Sequence, residues 1–272
     1  AVAYMSDNTK PSERAKGMAL IGMASGIGTM IGPVLGGGLA FIHPLFPMYV
    51  GALIAIFGGF LAMKYLKEPE VRNLESPSSS LRFYDKRIFP FLFGWCIAFL
   101  VFTGTQVIAA FFIEDKLGVI GQSEIIKATS ISLLSMALTT TLMQAVVLQI
   151  FSISSQTLLR ICFLIFGSVL IAITHVENLS QFYLAFSGIG VAFSMITPGL
   201  NAGATLSVES NEQGEVAGLL AAAPVVGMIF GPPLGAFLYN LDMTYPFYYG
   251  GLLTLILGAY FQFIKIPKDH FQ

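Results

Sequence analysis

Trp95, Phe99, Phe102 and Gln106 step by four, three and four residues, the spacing that gathers side chains on one face of a helix. An aromatic stripe ending in an amide suits a ligand that is mostly apolar and partly polar. Gln144 and Asn201 are two further amides set in apolar sequence, expected to be buried and to line the same kind of pocket. In the competing reading the rings face lipid while Gln106 bonds a neighbouring helix, and the sequence leaves both open.

Other chemistry is sparse. No Asp, Glu, Lys or Arg stands at the centre of a long apolar run, where each costs about 2.5–3.5 kcal/mol to insert and is kept for ion or proton work. His43 and His175 fall at the ends of such runs and His270 in the tail, as interfacial residues rather than proton relays. Cys96 and Cys162 each sit inside an apolar run as small filler, without metal-site spacing. The sequence has no Gly-rich phosphate loop with Lys, no His-Glu-x-x-His and no Gly-x-Ser-x-Gly. We therefore expect no catalytic residue, no metal and no cofactor. A net charge of −1 gives no basic field for nucleic acid.

The elements that carry these residues must be membrane spans. Of the 272 residues, 55% are hydrophobic and 11% charged, less than half the charge a soluble domain carries. With a mean hydropathy of +0.77, the chain reads as an all-α integral membrane protein. Stretches free of charge give eight spans: roughly 17–41, 47–66, 88–113, 128–159, 161–176 with a slightly earlier start, 178–208, 216–241 and 243–264. His43-Pro44 and Pro47 separate the first two.

An even count puts both ends on one side of the membrane. That side, with its alternate loops, holds 12 of the 14 basic residues, and the opposite loops hold only Lys116 and Lys127. The positive-inside rule makes both ends cytoplasmic. Residues 67–87, with Pro69, Pro77 and Ser78-Ser79-Ser80, read as a flexible cytoplasmic linker. It divides the chain into 1–66, the end of one bundle, and 88–272, a complete six-helix bundle.

A long-range repeat supports that division. Gly28-x-x-x-Gly32-Pro33-x-x-Gly36-Gly37 recurs 199 residues later as Gly227-x-x-x-Gly231-Pro232-x-x-Gly235-Ala236, and the same offset carries Glu13 onto Glu212. Two parallel copies at that distance leave room for six spans each. Glycines four apart let helix backbones approach closely, and a mid-helix proline kinks the helix. Two such helices would form the surface on which the bundles rock. Glu13 and Glu212 read as loop or helix-start charges.

The first motif resembles the antiporter motif in the fifth helix of drug:proton antiporters of the major facilitator superfamily. Ala3-Tyr4-Met5-Ser6-Asp7 and Glu13-Arg14-Ala15 are similar to the end of that family's fourth helix and the loop after it. Thr197-Pro198 and Glu212-Gln213-Gly214-x-x-x-Gly218 resemble the tenth helix and following loop of tetracycline-efflux-type members. The resemblance implies a major-facilitator-type bundle, with this chain supplying helices five to twelve, and a titrating membrane acid upstream. It implies secondary transport by alternating access, with proton-coupled efflux of a small amphipathic compound by a monomer in the cell membrane. It further implies that Asp7, with Arg14 nearby, helps latch the outward-facing state from the cytoplasmic side. The second-half counterpart of the family's charged loop should fall near Ser152–Gln156, where only Arg160 echoes its basic end. A metabolite or sugar importer of the same superfamily, and a non-transporting membrane scaffold or receptor, remain as alternatives.

Overall fold

The computed structural model describes Gly28, Leu35, Gly36, Gly38, Leu39, Ile42, His43, and residues 45–65, 81–144, 153–209, 212–264 and 266. The chain divides into two units, Ala1–Ser78 and Ser79–Gln272. In the first unit, Gly28, Leu35, Gly36, Gly38, Leu39 and Ile42 are helical, and helix α1 runs Phe46–Tyr65. Between them the chain turns at His43, whose Nδ1 accepts the Leu45 N–H at 3.2 Å and whose carbonyl accepts that of Phe46 at 3.0 Å.

The second unit contains α2 (Phe89–Asp115), α3 (Gln122–Leu142), α4 (Ser155–Ile173), α5 (Leu179–Leu206), α6 (Gln213–Leu241) and α7 (Tyr245–Phe263). The described residues form no strand. Helices α1 to α6 are long and apolar enough to cross a bilayer. Helix α7 has 19 uncharged residues, and Tyr245, Tyr248, Tyr249 and Tyr260 lower its hydropathy.

Helix ends follow local chemistry. Pro90 stands in the first turn of α2, where a missing N–H costs nothing. Ser154 caps α4 by accepting the Thr157 N–H, and Asn178 caps α5 by accepting that of Gln181. Gly118 and Gly121, with φ of 65° and 100°, make the connection from α2 to α3 in a region of backbone space closed to most side chains.

These ends correct the expected fourth span. Helix α3 begins six residues before Ala128, because Glu124 and Lys127 occupy its exposed first turns. Ser155–Leu159 belong to α4, not to the preceding helix. Ser154 and Ser155 are polar but uncharged, so a run defined by absence of charge passes straight through the connection.

Within the second unit α2 is the hub, touching α3, α5, α6 and α7, while α4 packs on α5 and α7 and α3 packs on α5. The interior is rich in aromatic rings: Phe163 stacks on Phe261 at 5.4 Å, and Phe112 meets Phe182 at 5.7 Å and Phe247 at 4.8 Å. Outward-facing Leu184, Ile229 and Phe237 are exposed, as expected where lipid is the solvent.

Helices α2 and α6 form the closest pair, and the glycine motif is the cause. Gly227, Gly231 and Gly235 are all buried. A Cβ on Gly227 would collide with the Cys96 carbonyl, one on Gly231 with Thr103 Oγ1 and the Leu100 carbonyl, and one on Gly235 would lie 2.8 Å from Gly104 Cα. Such a stripe admits only hydrogen atoms. The glycines of this second copy are thus filled by α2 of the same unit. In the first copy, a Cβ on Gly28 or Gly36 would meet nothing within 4 Å. Gly32, Pro33 and Gly37 lie outside the described residues, as do Asp7 and Arg14.

Candidate functional site

The aromatic stripe of α2 packs against α5. The Trp95 indole N–H donates to Asn201 Oδ1 at 3.2 Å, and the Trp95 ring lies 5.5 Å from that of Phe99. Phe193 of α5 is the ring they share: its centroid is 5.9 Å from Phe99, 4.5 Å from Phe102 and 5.4 Å from Phe166 of α4. Trp95 and Phe193 are buried, while Phe99 and Phe102 remain partly open. The lipid-facing reading of this stripe does not describe Trp95, which is spent on α5.

Gln106 lies one turn beyond Phe102 on the same face. It is half-buried and makes no hydrogen bond among the described residues, so the neighbouring-helix bond of the competing reading is not formed there. A half-buried amide in a membrane span with free donors and acceptors is costly unless something else satisfies it. Gln144 follows α3 and reaches α5 through a long contact of 3.5 Å from Nε2 to the Ser194 carbonyl, beside Phe193. Asn201 is exposed, which corrects the expectation of a buried amide; its carbonyl oxygen is held by Trp95 and its NH2 is left to solvent or ligand. Thus Trp95, Phe99, Phe102, Gln144 and Asn201 come together through α5, and Gln106 extends the same face of α2. Phe193 escaped sequence reasoning, although its place eight residues before Asn201 on one helix was a signal.

The unit's two ends carry charge, and they fasten α6 to α2. Before α2, Arg87 Nη2 pairs with Asp85 Oδ2 at 2.8 Å, and its two Nη groups grip both oxygens of Glu212 at 2.9 Å. This fork-to-fork geometry is the strong form of an arginine–carboxylate contact. Glu212 is the N-cap residue of α6 and only 8% exposed, so its helix-start position is as expected and its partner is new. Its Oε2 also accepts the Glu209 N–H at 3.0 Å, and Glu215 Oε2 accepts the Leu81 N–H at 2.6 Å. The hydrogen bonds from Arg87 hold the Asp85 and Glu212 carboxyls below the usual carboxylate range, and the two carboxylates in turn raise Arg87. At the other end, the Tyr239 hydroxyl donates to Asp115 Oδ2 at 2.7 Å. No described group of His, Cys, Asp and Glu could hold a metal ion.

Comparison with known proteins agrees with this architecture. The family model described as Major Facilitator Superfamily matches residues 1–152 and 93–272. Multidrug resistance protein 1 of Bacillus subtilis (strain 168) is 28% identical over 267 residues, covering 94% of this chain and 66% of that protein. Tetracycline resistance protein, class B, of Escherichia coli is 24% identical over 277 residues, covering 96% of this chain and 66% of the relative. The chain thus spans just under two thirds of the length of the curated relatives it matches. Among solved structures, a bacterial homolog of the human lysosomal transporter Spinster, in an inward-facing and occupied conformation, aligns with a TM-score of 0.56 at 15% identity. That alignment covers 96% of this chain and 72% of the other, and it speaks for the fold.

Proposed function

The chain belongs to the major facilitator superfamily, and from that premise we propose that it is part of a secondary transporter that exports small amphipathic organic compounds in exchange for protons. In this reading 1–66 is the end of one bundle, 67–87 a linker and 88–272 a second bundle of a protein that works by alternating access. Both ends of the chain are cytoplasmic, and the protein works as a monomer in the cell membrane. The observation that carries the substrate class is the aromatic face of α2 and α5, with the Gln106 amide beside it unpartnered among the described residues. It offers ring surface and one polar anchor, with no fixed charge in mid-span to demand a particular ion. The relatives named for multidrug and tetracycline resistance support the same substrate class.

Each part has a role in this reading. Phe99 and Phe102 supply contact area to a flat apolar body, and Gln106 satisfies one polar group. Trp95, Asn201 and Gln144 hold α2, α3 and α5 in register. No described acid lies in mid-span, so the coupling proton is assigned to a carboxylate outside the described residues. Gly227, Gly231 and Gly235 bind α6 to α2, making these two helices move as one body. Asp7 and Arg14 act at the cytoplasmic latch.

The test is efflux of a fluorescent amphipathic dye from cells expressing the full-length gene product. Phe102→Ala should slow efflux by about tenfold, the loss expected when a ring contact worth about 1.5 kcal/mol is removed. Gln106→Leu should slow export of dyes with a hydrogen-bonding group and spare those without one. Unchanged efflux of every dye by both variants, at normal membrane abundance, would overturn the assignment.

A further inference from the structure

Among the described residues of the second unit, Arg160 is a half-buried arginine with no carboxylate to answer its charge. Helices α4 and α7 run side by side, and their ends are stitched by amides: Gln156 Nε2 donates to the Ile264 carbonyl at 3.2 Å, and Gln262 Nε2 to the Arg160 carbonyl at 2.7 Å. The Arg160 side chain lies at this seam. Among the described residues its guanidinium makes one long contact, from Nη2 to the Gln262 carbonyl at 3.4 Å, and its Nε is buried with no hydrogen-bond partner. Among the described residues no carboxylate lies within ion-pair distance of it. Arg87, at the same end of the bundle, shows the contrast, with two carboxylates filling its fork.

Position says what could answer that charge. Arg160 is the sixth residue of α4, about one and a half turns inside a span. Helical side chains lean toward the N-terminus, so its guanidinium reaches back toward the membrane surface while its stem stays in the apolar layer. At that depth the abundant acceptor is the phosphate of a phospholipid, which a guanidinium can take through two parallel N–H groups. Lys265 and Lys268 follow Gln262 closely in the sequence and add positive charge to the same end of the chain.

We propose that Arg160, at the seam between α4 and α7, binds the headgroup phosphate of an anionic phospholipid in the adjoining leaflet. The lipid completes the hydrogen bonding of the guanidinium and ties together α4 and α7 at their seam.

The experiment uses the full-length gene product, delipidated in detergent and examined by native mass spectrometry with phosphatidylglycerol, phosphatidylcholine or inorganic phosphate. Wild type should retain one phosphatidylglycerol that Arg160→Gln holds about tenfold more weakly, the loss of charge-assisted hydrogen bonds. Arg82→Gln, removing an exposed basic residue near the same end, should bind as wild type does. Equal phosphatidylglycerol binding by Arg160→Gln would overturn the proposal. So would equal retention of phosphatidylcholine, or displacement of the lipid by millimolar inorganic phosphate, which would mark a site for free anions. Should Arg160→Gln fail to fold, a phosphatidylglycerol with a photoreactive headgroup decides the matter on wild-type protein. Labelling of peptides from 155–165 and 258–268 supports the site, and labelling confined to other segments overturns it.

Discussion

Single side chains at the aromatic face divide into those spent on structure and those left free. Trp95→Phe keeps the ring and deletes the N–H that Asn201 accepts, so it should cost about 1 kcal/mol of stability, read as a lowered midpoint of thermal unfolding. Gln106→Leu should leave that midpoint unchanged or raise it, because the half-buried amide has no partner to lose among the described residues. The Arg87 cluster carries a pH signature. Asp85 and Glu212 titrate below the ordinary carboxylate range because Arg87 donates to them, so their contribution is complete above that range and fades as pH falls through the lowered values. Arg87 is raised, so alkaline conditions do not release it. Spin labels at the exposed Tyr84 and Gln213 should therefore report one fixed distance from about pH 5 to 9, with separation only in stronger acid. Arg87→Gln should separate them at every pH. The spacing of Trp95, Phe99, Phe102 and Gln106 made their shared face legible in the sequence. The partner Phe193 and the exposure of Asn201 were not legible, because both depend on how α5 is rotated against α2.

Among elements, the pair α2–α6 is fastened along its length, by Arg87–Glu212 at one end, Tyr239–Asp115 at the other and three glycines between. Gly231→Leu should cost at least about 3 kcal/mol, since backbone atoms of α2 occupy the space the side chain needs. Gly218→Ala, on the same helix but with nothing within 4 Å of its new methyl, should be tolerated or slightly stabilising. Thermal unfolding of the two variants in detergent checks the contrast. The duplicated Gly-Pro pattern announced a smooth helix face. It could not announce which helix fills that face, and α2 of the same unit does so. Hydropathy likewise located helices α1 to α7, but uncharged serines hid the connection between α3 and α4. A polar loop without charge looks apolar to any rule that reads charge alone.

At the scale of the whole molecule, the chain belongs to the major facilitator superfamily and has an all-helical membrane fold. An apolar, ring-lined face without fixed charge can select compounds by shape and lipophilicity, yet it cannot itself draw energy from an ion gradient. The account therefore requires that export of an amphipathic compound and entry of protons be one coupled event in the full-length protein. The direct measurement is uptake of a fluorescent amphipathic compound into inside-out membrane vesicles under an imposed pH gradient. The account predicts uptake only while the vesicle interior is acidic, with collapse on addition of a protonophore and strong impairment in Phe102→Ala. Uptake that ignores the gradient, or its absence while correctly folded protein is present in the vesicles, would contradict it.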